Sequence, residues 1–571
     1  MSLFRQFCLL SAFGCVSTLL AEYPVSRIFY EYGTDVTDLP NLEELRSTFV
    51  SFDESQEEIS MNSLIDGRTK IHDLSHRDLF NLSEIPLQYL KSLGYEGMVA
   101  FPSPDDIHPV SGKDLREIGD TSLTIKIWVS RLGSVSVKAK GGNNLISKSI
   151  SERLDLLVKD KDLIGKPIKR EFLDTLKNYG QHSSRTARVL LSANEESGLV
   201  DTILSLSENL ERPKFLFSAS NSGSKSTGRW LFSGAYFNDQ LSGRDDTFGF
   251  SYVFSNTMER HGVNTNYYLP FSPEKVMGMG VGVGYSTYDA STYSVTSIDF
   301  DGETIFLDLA LKAKSQINSE NLLNFDVGLN FENVSAFNTL TGSANLAKIT
   351  PRIGLSLQSA QKNRFSKSAF LLKGNINSIS ESDQLVVGGI DTSDTYARLI
   401  LSHHETWKLA RMLFEDSGKY LDRHLLLARL EASWALGGNR NLPSHQYITG
   451  GSHSIRGYPE SIVAGDSGYL FSLEYRIPFY VFEAGERNDV NAFSLIPFFD
   501  IATTHVNNSF SYESDHTLMG IGMGIELQLP YGAYARVDFA KPIKELKTNG
   551  NIIDGTKSDD YRIHGNLNWK F

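Results

Sequence analysis

Cysteine is scarce in this chain: its only two, Cys8 and Cys15, lie within the first 21 residues. Arg5 supplies a short positive stretch there, and Phe7 through Leu20 form an apolar run that stops at Ala21. This is the layout of a secretory signal over residues 1–21, with cleavage placed at Ala21. The mature chain is then expected to hold neither disulfides nor thiol chemistry. Long hydrophobic runs are missing as well. Past residue 25 nothing approaches the roughly 20 apolar residues that a membrane helix needs. Lys and Arg form no cluster and the net charge is −13. Phosphate binding requires clustered positive charge, so nucleic acid is not expected as a partner.

Signatures of catalysis are lacking too. The chain has neither a phosphate-cradling G-x-x-x-x-G-K-[ST] stretch nor a zinc H-E-x-x-H, and no G-x-S-x-G elbow sits beside a placed His. His403-His404-Glu405 is the best metal candidate, but neighbouring residues of a strand point to opposite faces and cannot easily share an ion. Gly278, Gly280, Gly282 and Gly284 alternate strictly with apolar residues. They read as small inward positions of a strand, not as a nucleotide loop. Neither an enzyme nor a cofactor or metal is expected.

What the chain does have is pattern. At 571 residues it is too long for one hydrophobic core. Residues 22 to about 212 mix strands with helices, in the order β-α-α-β-β and then the same order again. In the first module Arg27–Tyr30 is strand-like, and Leu42, Leu45 and Phe49 recur at helical spacing behind Pro40. A second helix is expected from Ser83, as N-cap, to Gly94. Strands follow around Gly97–Phe101 and Leu123–Val129. An acidic insertion at about 51–77 reads as a flexible excursion. The second module repeats the order with Ser134–Ala139, a stripe of Ile150, Leu154 and Leu157, a stripe of Phe172, Leu176 and Tyr179, and a hairpin of Arg185–Leu191 with Leu199–Leu206. These stripes read as core packing.

Helical spacing stops at Pro213. From there about 16 segments of about 10 residues alternate apolar with small or polar residues, the signature of strands that show one face to lipid and the other to a lumen. Met519, Ile521, Met523, Ile525 and Leu527 stand against Gly520, Gly522, Gly524 and Glu526, and Leu430, Trp434 and Leu436 against Arg429, Glu431 and Ser433. An even number of antiparallel strands can close and leave no unpaired edge, as hydrocarbon requires. Ile563, Gly565, Leu567, Trp569 and Phe571 alternate to the last residue. The expected fold is an all-β transmembrane barrel at 213–571, behind two small α+β domains at 22–133 and 134–212.

Three stretches carry a family resemblance. Asn221 to Arg229, with Asn238 and Asp245, looks like the opening of a first barrel hairpin. Gly450-Gly-Ser-His-Ser-Ile-Arg-Gly-Tyr458 is similar to a Val-Arg-Gly-Tyr motif carried on a long inward loop, and Phe498-Phe-Asp-Ile-Ala502 to a Phe-x-Asp-x-Gly motif on a following strand. In this order they resemble the two-partner secretion transporters, POTRA-containing barrels of the FhaC and ShlB type, over nearly the whole mature chain. The Arg456 loop falls between the eleventh and twelfth segments, its place in that family.

The resemblance implies a bacterial outer-membrane pore, with POTRA domains in the periplasm, that exports a large β-helical partner protein such as an adhesin or cytolysin. Its partners would be that exoprotein, outer-membrane lipid and the barrel assembly machinery, which would recognise Trp569 and Phe571. Arg456, Gly457, Tyr458, Phe498 and Asp500 would form a latch that fixes the loop in the lumen. The second module would offer Phe172, Leu176, Tyr179, Arg188 and Leu190 to an unfolded substrate. A helical plug is not expected ahead of Tyr23, which leaves pore closure to the Arg456 loop. Ala502 replaces the motif's glycine and adds a methyl group at a tight contact. An assembly factor that inserts other barrels is the alternative.

Overall fold

The computed structural model describes residues 23–571 except 34–37, 53–57, 141–143, 182–184, 195–196, 209–213, 243, 273–276, 293–297, 319, 340, 410–422, 483–489, 512, 529–531 and 549–550. The signal expected at 1–21 lies outside these residues. The chain divides into two compact units, 1–210 and 211–571.

In the first unit, Ser122–Val129 is the middle strand of a three-stranded sheet, parallel to Arg27–Tyr32 and antiparallel to Met98–Pro102. Leu123, Ile125, Ile127 and Val129 alternate inward along it. The helix His76–Ser92 covers that face. Its N-cap is Ser75, reciprocally bonded with Asp78, and not the expected Ser83. Ser83 lies about two turns further in, where its hydroxyl donates back to the Leu79 carbonyl at 2.8 Å. Pro86 sits inside the same helix and cannot donate to the carbonyl of Leu82. The Tyr30 hydroxyl donates to that carbonyl instead, at 2.9 Å.

The stretch at 51–77 differs from its expectation as a flexible excursion. It carries Glu58–Ser60, which pairs with Phe49–Ser51, a short helix at Met61–Ile65, and His72–Leu74, which pairs with Tyr23–Val25. Met61, Leu64 and Leu74 are fully buried with Tyr23, Val25 and Leu82. Acidic neighbours in the sequence hide these three apolar anchors from a composition-based reading.

A second three-stranded sheet follows, with Val200–Glu208 in the middle, Leu132–Lys140 parallel on one side and Arg185–Ala193 antiparallel on the other. The helices Asn144–Asp160 and Arg170–Asn178 accompany it, and Leu154, Leu176, Tyr179, Leu204 and Leu206 make the core. The junction between the two sheets is stitched by backbone. The Ile168 amide donates to the Ser130 carbonyl at 3.0 Å and the Glu96 amide to the Ile168 carbonyl at 2.9 Å. Arg131 adds a two-pronged ion pair to Asp38.

In the second unit, among the described residues, the expected sixteen antiparallel strands close into a barrel. The first, Lys214–Ser220, pairs with the last, Arg562–Lys570, from Leu216↔Lys570 to Ser220↔Asn566. Exposed apolar side chains mark the outer wall: Leu307 and Leu309 on the sixth strand pair with Phe331 and Leu329 on the seventh. The glycines at 280 and 282 face inward, as their alternation predicts. A Cβ on Gly282 would lie 3.4 Å from Asp308, itself a lumen residue paired with Arg352. The outer wall is what a bilayer solvates and the inner wall what water solvates.

Candidate functional site: an inward loop latched in the lumen

The loop at 437–466 joins the eleventh strand, Leu425–Leu436, to the twelfth, Ser467–Phe482. It begins and ends at the far end of the barrel, opposite the end where Lys214 enters. A small hairpin, Tyr447–Thr449 with Val463–Gly465, turns the loop inward. At its tip Ile455 and Tyr458 are fully buried.

Cross-strand register builds the wall that the tip meets. Ser472 on the twelfth strand pairs with Asp500 on the thirteenth, which pairs with Gly520 on the fourteenth. One pleat along, Glu474 pairs with Phe498 and Phe498 with Gly522. Directly paired residues share a face, so these side chains form one inward patch. The Arg456 Nε and a terminal nitrogen each donate to Asp500 at 2.7 Å, and its backbone N–H adds a bond of 3.2 Å to the same carboxylate. The other terminal nitrogen reaches Glu474 at 2.5 Å and lies 3.5 Å from Asp538. The guanidinium carbon stands 3.5 Å over the Phe498 ring. Asp500 also accepts from the Ser472 hydroxyl at 2.6 Å.

Arg456, Asp500 and Asp538 are buried, Glu474 and Arg536 are partly so, and each has partners, the condition under which an ion pair can persist out of water. Glu474 accepts from Arg536 as well, at 2.8 and 3.1 Å, and Arg536 also holds Asp538 at 2.9 Å. The site is therefore two arginines threaded among three carboxylates.

Glycine makes room for the tip. A Cβ on Gly520 would stand 2.1 Å from the Arg456 carbonyl oxygen, and one on Gly522 would stand 2.5 Å from Phe498. Gly457 turns at φ +97°, and a Cβ there would meet the Lys541 carbonyl carbon at 2.6 Å. The Tyr458 hydroxyl donates to the backbone carbonyls of Met519, at 3.1 Å, and of Lys544, and accepts from the Met519 N–H at 3.1 Å. The Gly457 N–H points at Nε2 of His564, 3.3 Å away on the last strand. Next to the patch, Arg429 on the eleventh strand, the register partner of Ser472, donates to the His453 carbonyl at 2.9 Å. A polar cavity of about 340 Å³ remains beside the tip, between Arg429, His453, Arg536 and Asn566.

The geometry brings together all five expected latch residues, Arg456, Gly457, Tyr458, Phe498 and Asp500. Ala502 is fully buried in the same cluster as Ile455, Tyr458 and Leu470, so its methyl group fills a contact and does not displace the loop. Sequence reasoning missed Ser472, Glu474, Arg536, Asp538 and His564. Their signal was a charged or polar residue at the inward position of adjacent strands, visible only once register is known.

A second loop also packs inward beside the Arg456 loop. From the loop between the ninth and tenth strands, the short helix Glu381–Val386 packs Val386 against the inward-facing Ala336 and Ala344 near the far mouth. Ile379 and Leu442 join Leu346 beside it, so this loop and the base of the Arg456 loop share one apolar contact.

Other expected residues are placed as follows. Leu176 and Tyr179 are fully buried in the second module's core and Phe172 is packed at its rim, whereas Arg188 and Leu190 are exposed on the sheet's edge strand. Trp569 and Phe571 lie at the seam, where Phe571 and Phe215 exchange backbone hydrogen bonds of 2.9 and 3.1 Å and Phe571 stacks on Phe217. Asn221 bridges the same seam with its side-chain amide, donating to the Ile563 carbonyl and accepting from the Gly565 N–H. His403 and His404 face opposite sides of the tenth strand.

A closed barrel with a lipid-matched outer wall and a loop pinned to its inner wall defines a class, the outer-membrane transport barrels. Residues 218–564 match the Omp85 superfamily domain, and the chain belongs to that superfamily. In fold it is similar to CdiB from Escherichia coli, with 14% identity, 100% of this chain and 96% of that one covered, and a TM-score of 0.65. CdiB from Acinetobacter baumannii is similar at 14% identity, with 97% and 91% of the two chains covered and a TM-score of 0.63. No curated protein matches the chain by sequence.

Proposed function

We propose that this protein is the outer-membrane pore of a two-partner secretion system, dedicated to one large secreted protein. The observation that carries this reading is the latched loop. Arg456 holds a long loop inside a barrel that follows two small α+β modules, and a plain diffusion channel needs neither part. Fold likeness to CdiB, a two-partner secretion transporter, over the whole chain supports it.

The two modules act as periplasmic POTRA receptors. Arg185–Ala193 is an edge strand, and an extended substrate can add to such an edge through main-chain hydrogen bonds. Leu190 and Leu191 are exposed along it and offer apolar contacts. The substrate then passes the barrel when the loop leaves its latch, and folding outside the cell drives the passage. Trp569 and Phe571, at the seam, present the closing strand to the assembly machinery. The partner is of the β-helical adhesin or cytolysin kind.

The test compares secreted and outer-membrane proteomes with and without the gene. Loss of one large extracellular protein, with other barrels unchanged, is expected. A broad loss of outer-membrane barrels would overturn the reading in favour of an assembly factor.

A further inference from the structure

At the near end of strands nine and ten the outer wall turns from apolar to polar. On the ninth strand, Arg364–Gly374, and the tenth, Ala397–Lys408, Phe370 pairs with Leu401 and Leu372 with Leu399, an ordinary lipid-facing set. One pleat toward the near end the same face turns polar. Ser368 pairs with His403 and Ser366 with Glu405. Their register neighbours on either side are apolar or small: Leu357 beside Ser368, Leu430 beside His403 and Ala428 beside Glu405. The polar notch thus spans strands nine and ten, with apolar or small residues beside it.

Inside the notch the groups form a relay. The Ser368 hydroxyl is 2.9 Å from His403 Nδ1, His403 Nε2 is 2.9 Å from Glu405, and Glu405 accepts from Arg364 Nε. Glu405 is 5 % exposed although it faces outward, because Arg364 and His403 cover it. Arg364 itself is 49 % exposed. With Nε committed to Glu405, the two terminal nitrogens remain for whatever lies outside. Lys362, in the turn before the ninth strand, and Lys408, at the end of the tenth, are exposed at the same end of the barrel and add positive charge. A charged group on a lipid-facing wall is costly near the bilayer centre and cheap only near its surface, so such a group usually marks a function.

The geometry points to a binding site for the phosphate of a membrane phospholipid on the outer wall at strands nine and ten. Arg364 donates to the phosphate. Ser368, His403 and Glu405 are positioning residues that hold the guanidinium in place, and Phe370, Leu401 and Leu430 flank the acyl chains. The occupant is a lipid and not a protein because the site faces outward beside continuous apolar wall, where lipid is the solvent. The inference needs only that the barrel stands in a bilayer, so a failed secretion assay leaves it intact.

Native mass spectrometry of the detergent-solubilised full chain tests it, with phosphatidylglycerol, phosphatidylethanolamine and diacylglycerol as probes. Phospholipid retention is expected to fall about ten-fold in Arg364→Gln, as for the loss of a charge-assisted bond. Diacylglycerol, which lacks the phosphate, should be retained by neither protein. If Arg364→Gln misfolds because Glu405 is left uncompensated, the double variant Arg364→Gln, Glu405→Gln carries the test. Equal retention by a folded variant would overturn the site, as would diacylglycerol held as well as phospholipid. Efficient cross-linking of two copies through Ser366→Cys in membranes would assign the notch to a protein contact and overturn it as well.

Discussion

At the residue scale, Arg456 and Arg536 share the carboxylates of Glu474 and Asp538, so neither arginine acts alone. Arg536→Gln would leave two buried carboxylates leaning on Arg456, and a broken buried pair costs about 3–5 kcal/mol. Unfolding of the barrel in lipid should show that loss. Combined with Arg456→Ala, the effect should depart from additivity by about 0.5–3 kcal/mol. Strict additivity would mean that the two arginines are independent. Tyr458→Phe tests a different bond. It removes the hydroxyl shared by Met519 and Lys544 and should cost about 1–3 kcal/mol, the usual price of leaving buried backbone groups unmet. A variant as stable as the parent would place Tyr458 outside the latch.

At the element scale, the fourteenth strand, His516–Gln528, does two jobs. Ile521, Met523 and Leu527 are exposed on its outer face, and Gly520, Gly522 and Gly524 give the inner face its depth. Gly520→Ala would push a methyl group into the Arg456 carbonyl and is expected to lift the loop tip. Planar-bilayer recording should then show higher or more frequent conductance, and unchanged traces would mean that the wall accommodates the methyl group. This strand was legible in the sequence because strict alternation encodes both faces at once. Helix ends were less so. Ser83 looked like an N-cap, yet the reciprocal Ser75–Asp78 pair starts the helix, and Pro86 is tolerated inside it because Tyr30, distant in sequence, meets the stranded Leu82 carbonyl. Partners brought in by tertiary structure leave no local pattern to read.

For the whole molecule, the sequence carried the number of barrel strands and the place of the Arg456 loop between the eleventh and twelfth. Alternation and turn residues are local and repeat along the chain. The charge network was legible only at Arg456 and Asp500, where a motif marks it. Glu474, Arg536 and Asp538 lie on separate strands and meet through register. The modules of the first unit carry their own check. The Arg131 guanidinium, by its hydrogen bond to Asp38, holds that carboxyl below its ordinary value of 3.8. A carboxylate whose pKa is lowered by folding contributes stability that is present above the ordinary value and lost as the pH falls through the folded one. Protection of the Ile168 and Glu96 amides at the module junction, taken as exchange relative to the intrinsic rate at each pH, should therefore be flat from about pH 5 to 8 and should fall only below about pH 4. Loosening near neutral pH would contradict the role given to this pair.

The most direct test of the account is export through the Arg456→Ala protein, read as the amount of the partner in the medium and paired with the heat stability of the folded barrel. If the latch positions the loop of a secretion pore, export should fall by about ten-fold or more and the barrel should unfold at lower temperature, as for the loss of a buried ion pair. Parent-level export from a barrel of parent-level stability would contradict it and leave Arg456 as one lumen charge among many.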